Sequence, residues 1–70
     1  KMMTKKEAKK LTDTKTKCDF IRGVNDALEG IYDEFYRYNR SDEGREYDHG
    51  IRWAIDNISD VEINTFIENK

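Results

Sequence analysis

Apolar residues recur at helical spacing through the first half of this chain, and no proline interrupts them. Phe20, Val24, Ala27, Leu28, Ile31, Phe35 and Tyr38 share one face of a helical wheel, and Ile21, Tyr32 and Tyr36 widen it. Asp19, Arg22, Asp26, Glu29, Asp33 and Arg37 occupy the opposite face. Strand-type alternation is weak everywhere outside the stretch LTDTKTK. A period near 3.6 therefore dominates, and it predicts an all-α fold.

The spacing places a first helix over about residues 16–38. Gly23 and Gly30 border its apolar face, and each glycine costs about 1 kcal/mol in a helix, so close backbone approach there is the expected compensation. Asn39-Arg40-Ser41 ends the pattern, and Ser41 is read as an N-cap with Asp42 and Glu43 at the positive end of the next helix. That second helix runs to about Asn57, with Tyr47, Ile51, Ala54, Ile55 and Ile58 on its stripe. Ser59-Asp60-Val61-Glu62 reads as a capping box, with Ile58 and Ile63 as its hydrophobic staple. A short helix over about 60–68 should follow and bury Ile63, Phe66 and Ile67. The expected architecture is a helical hairpin closed by a short C-terminal helix, a three-helix domain over residues 16–70. Residues 1–15 form a lysine-rich arm. Thr4-Lys5-Lys6-Glu7 is itself a capping-box pattern, yet the arm offers only Ala8, Leu11 and threonines to bury, which predicts a frayed turn or disorder.

A chain of 70 residues, 36% hydrophobic and 40% charged, has little margin for folding on its core alone. Cys18 is the only cysteine, so no disulfide forms within the chain, and a reduced, cytoplasmic setting is expected. His49, Cys18 and the scattered carboxylates lack metal-ligand spacing, so neither a metal nor a cofactor is expected. No apolar run approaches the roughly 20 residues of a membrane span, which predicts a soluble chain without a membrane partner. Self-association or a protein partner remains as the source of added stability. Cys18, Ile21, Asn25, Leu28 and Tyr32 lie at heptad-like spacing and form a candidate homodimer seam, with Asn25 setting register.

Charge is polarised along the sequence. Residues 1–18 hold seven lysines against Glu7 and Asp13, while residues 19–70 hold thirteen acids against six basic residues. The lysine arm offers phosphate contacts to nucleic acid. The acidic body, the lack of arginine in the arm and the lack of interleaved aromatics make a solvated tail the favoured reading. Asp19, Asp26, Glu29 and Asp33 form a candidate acidic face that could imitate DNA phosphates, although Arg22 and Arg37 interrupt it.

Trp53 lies well over 90° from the stripe of its own helix, beside His49, with Glu46 and Arg52 close by. Either another helix covers it or it serves an interface, where tryptophan is enriched among binding hot spots. Trp53, His49, Glu46 and Arg52 are therefore the candidate partner-binding residues. His49 with Asp48 invites a catalytic reading, but no activated nucleophile accompanies them and so small a chain rarely encloses a substrate pocket. No enzymatic activity is expected.

In its lysine-rich start TKKEAKK, its paired segments FIRGVNDALEGIYDEF and YDHGIRWAIDNI, and its capped terminal segment, the chain resembles the small accessory proteins that bacteriophages encode to bind and redirect host machinery. That resemblance implies a protein-binding module, often inhibitory, directed at a host complex such as a nucleic-acid enzyme. The alternative is a small nucleic-acid-binding regulator acting through the lysine arm.

Overall fold

The computed structural model describes residues 2–13 and 18–63, and the fold is all-α. Among the described residues four helices follow in order: α1 Lys5–Thr12, α2 Asp19–Leu28, α3 Glu34–Asn39 and α4 Ser41–Asn57. Among the described residues the only β-type pairing is an isolated parallel bridge between Met3 and Ile58.

The α2–α4 pair is the spine of the molecule. Gly23 on α2 faces Gly50 on α4, and the two backbones nearly touch. A Cβ on Gly23 would stand 2.1 Å from the Tyr47 carbonyl oxygen, and a Cβ on Gly50 would stand 2.1 Å from that of Phe20. One turn further along each helix, Ala27 and Ala54 are fully buried and keep the separation short. Val24, Tyr47, Ile51 and Ile58 fill the space around this crossing, each 0–1% exposed. Four of the five stripe residues expected on the second helix are thus fully buried, and Ile55 packs at the edge of the core.

The long first helix does not form as one piece. Leu28 ends α2, and Gly30 follows at φ 75°, in the left-handed region that favours glycine. Its N–H donates to the Ala27 carbonyl at 3.0 Å, and the Ile31 N–H donates to the Asp26 carbonyl at 2.9 Å. These two bonds make a Schellman motif, which satisfies orphan carbonyls at the helix end. Asp33 then caps α3, its carboxylate accepting from the Tyr36 N–H at 3.0 Å. The expected close approach at Gly23 is real, whereas Gly30 serves as a helix stop.

The α3–α4 corner is also tight. A Cβ at Gly44 would stand 2.2 Å from the Arg37 carbonyl oxygen, so α3 packs on α4 through backbone. Ser41 lies inside α4, not at its cap, and takes φ 34° as the chain reverses after Arg40.

The N-terminal segment is a helix, in place of the expected fraying or disorder. The Glu7 N–H donates to Thr4 Oγ1 at 3.1 Å and the Thr4 N–H to Glu7 Oε1 at 2.9 Å, completing a capping box. Ala8 and Thr12, one turn apart, are buried at 1% and 5%. Before the helix, the Met3 N–H donates to the Asn57 carbonyl at 3.0 Å and the Ser59 N–H to the Met3 carbonyl at 2.9 Å. The few apolar side chains of the arm give no hint of this backbone clamp, which needs none of them.

The expected C-terminal helix over 60–68 is not present in residues 60–63, which leave α4 through a turn at Ser59 and Asp60 and are non-helical. The rest of that range lies outside the described residues. Ser59, expected to cap it, directs its hydroxyl to the Met3 carbonyl at 3.4 Å. Val61 and Ile63 pack on the core without a helix.

Candidate interaction surfaces

Three tyrosine hydroxyls tie the helices together from within. Tyr47 donates to Asp26 Oδ2 at 2.7 Å and accepts the Asp33 N–H at 2.8 Å, which fixes the α2–α3 turn onto α4. Tyr32 donates to Asp48 Oδ1 at 3.0 Å, and Tyr36 donates to Asp19. Burial is the chief cause that raises the Tyr32 and Tyr47 phenols well above their usual value, and the carboxylate partners add to it. For Tyr36 the bond to Asp19 leads the upward shift.

Asp48, only 7% exposed, carries a buried charge. Arg52 Nε reaches its Oδ2 at 2.9 Å, and Arg37 Nε lies 3.8 Å from its Oδ1. A buried carboxylate with two guanidinium neighbours and a phenol donor is compensated in the way a buried charge needs. Asp48 therefore turns inward, while the adjacent His49 is exposed with its Nδ1 3.9 Å from Glu46 Oε2. The two do not form a shared site.

The candidate acidic face is dispersed by these bonds. Asp19 and Asp26 accept from Tyr36 and Tyr47, Asp33 caps α3, and Glu29 is the C-cap of α2. Because the chain turns at Gly30, Asp33 does not continue the row begun by Asp19 and Asp26. The same turn interrupts the heptad-like seam. Cys18 is exposed at the N-cap of α2, Ile21, Asn25 and Leu28 are half-buried along it, and Tyr32 sits beyond the break, buried in the core.

Trp53 is half-buried. Phe20 of α2 meets it edge to face with ring centroids 6.0 Å apart, so the intramolecular cover is real but partial. Glu46, His49 and Arg52 are exposed around the same helix.

One surface that helical spacing alone does not reveal belongs to α3. With the helix broken at Gly30, Tyr32 and Tyr36 turn inward, and Phe35 and Tyr38 turn out. Phe35 is 72% exposed, Tyr38 59% and Ile31 47%. Phe35 and Tyr38 are three residues apart on one helical face. The Arg37 guanidinium lies over the Tyr38 ring, 4.9 Å from its centroid. The sequence signal for this surface is local: a glycine followed three residues later by an aspartate able to cap.

On the other side of the molecule, Lys6, Lys9 and Lys10 of α1 line an open groove of about 380 Å³ with Thr12, Asp13 and Asn25. Among the described residues no three or more His, Cys, Asp or Glu side chains gather in an arrangement able to hold a metal, and no helix is long and apolar enough to cross a membrane.

These features define a small all-helical domain with two candidate contact surfaces, one aromatic and one cationic. Comparison with protein-family models, curated proteins and solved structures finds no match for the chain.

Proposed function

We propose that the chain is a protein-binding module whose anchor is the exposed aromatic face of α3. The observation that carries this reading is the outward placement of Phe35, Tyr38 and Ile31 beside a core that is complete without them. Large aromatics in a cluster gain most when a partner excludes water from them. The proposed occupant is a protein with an apolar recess in a basic surface. Residues 19–70 carry thirteen acids against six basic groups, and such a body is steered toward positive potential. A host nucleic-acid enzyme, whose working surface is basic, is the partner class that fits the resemblance to phage accessory proteins, and inhibition by occupancy is the proposed mode.

The open side of Trp53, framed by His49, Glu46 and Arg52, is the competing surface, and a second copy of this chain is the competing occupant. The test compares Phe35→Ala/Tyr38→Ala with Trp53→Ala in affinity capture, with sedimentation equilibrium alongside. The reading expects a basic nucleic-acid enzyme retained by the native chain and by Trp53→Ala, with affinity reduced by about 2 kcal/mol or more in the α3 variant. Equal retention by the α3 variant would reject the α3 anchor. A native dimer that becomes monomeric in that variant would assign the face to self-association.

A further inference from the structure

We infer that the groove between α1 and α2 is a binding site for a nucleic-acid backbone, separate from the α3 face. The groove is lined by Lys6, Lys9, Lys10 and Thr12 from α1, by Asp13 at its end and by Asn25 from α2, which sets three cations against one carboxylate. Lys6 and Lys10 are one turn apart and Lys9 lies beside them, so all three ammonium groups project from one side of α1. The capping box and the Met3 clamp hold that helix in place, and with it the spacing of the charges.

How the cations of this protein are used separates this groove from an ordinary wet face. Arg37, Arg40, Arg45 and Arg52 each have a carboxylate within ion-pair distance, and Arg22 lies 4.3 Å from the Tyr36 ring centroid. Lys6, Lys9 and Lys10 have no ion-pair partner among the described residues, although the chain carries fifteen acids. Each arginine thus has a carboxylate or an aromatic ring beside it, whereas these lysines have none among the described residues and are left for an outside anion.

The dimensions favour a polyphosphate strand over a single anion. Eight helical residues extend about 12 Å, and phosphates recur about every 3.4 Å of axis on one DNA strand. The three cations, from Lys6 to Lys10, cover about 6 Å of that length, so the α1 wall offers one ammonium to each of two or three neighbouring phosphates. Asn25 adds an amide donor on the opposite wall. Lysine contacts to phosphate carry no sequence information, so binding is independent of sequence.

The test is fluorescence anisotropy of the full chain with a short fluorescein-labelled duplex of random sequence, from low to physiological salt. Three phosphate contacts give a slope of log affinity against log salt of about −3. Each of Lys6→Gln, Lys9→Gln and Lys10→Gln should flatten that slope by about one, and glutamine preserves the helix because its propensity is close to that of lysine. Lys5→Gln removes the same charge from a residue outside the groove lining and should leave the slope unchanged. Asn25→Asp, which leaves α1 untouched, should weaken binding several-fold. Circular dichroism of each variant reports whether helicity is retained. Absence of an anisotropy change at low salt would overturn the proposal. So would an equal effect of Lys5→Gln, or displacement of the duplex by polyglutamate at matched charge, which would make the site a general receptor for acidic protein.

Discussion

Tyr47 shows how much of this fold rests on single polar atoms. Its hydroxyl is donor to Asp26 and acceptor for the Asp33 amide, so Tyr47→Phe leaves a carboxylate and an N–H without their partner. A loss of about 2 kcal/mol is expected in chemical denaturation. The same hydroxyls make the protein sensitive to alkali. In the unfolded chain a phenol ionises near pH 10, whereas Tyr32 and Tyr47 hold their protons to higher pH when folded. Their contribution is complete below about pH 10 and is lost as pH rises beyond that value. Melting temperature should therefore fall above about pH 10, and less steeply in Tyr47→Phe; a flat profile in the native chain would contradict the network. Trp53 is the intermediate case. With its ring partly covered by Phe20, Trp53→Ala should cost about 2 kcal/mol, below the roughly 3–5 kcal/mol of a fully buried aromatic. A loss within that higher range would place Trp53 in the core.

Among the elements, the glycines separate two physical roles that look alike in sequence. Gly50→Ala improves intrinsic helix propensity by about 1 kcal/mol, yet it drives a methyl group into the Phe20 carbonyl. Net destabilisation of about 2 kcal/mol or more is expected by thermal unfolding. At Gly30 there is room for a methyl group, its nearest neighbour being the Glu62 carbonyl oxygen at 3.9 Å, but φ is 75°. Gly30→Ala should therefore cost about 1–2 kcal/mol through the backbone alone. Helical spacing makes the all-α class, the buried stripe of α4 and the α2–α4 pairing legible from the residues alone. It does not show the break at Gly30, because a Schellman stop leaves the surrounding residue types helical. A single continuous helix puts Tyr32, Tyr36, Phe35 and Tyr38 together along one broad apolar face, whereas the break sends the first two inward and the last two out. The aromatic face of α3 is hidden from helical spacing for that reason, and only the local pair of Gly30 and Asp33 marks it. The lysines of α1 are visible as charge, but the groove they line is not, since Asn25 is distant in sequence and belongs to another helix.

At the scale of the whole molecule, the Met3 clamp couples the beginning of the described chain to the end of α4. Its partners, Asn57 and Ser59, lie more than fifty residues further along the sequence. α1 is the first of these helices to be synthesised, but this clamp cannot close until all of α4 exists. In refolding followed by pulsed hydrogen exchange, the Met3 and Ser59 amides should gain protection after those around Tyr47 and Ile51, because distant closures come late. A ribosome-bound chain stalled before Ile58 would then lack the clamp that ties the start of α1 to the end of α4.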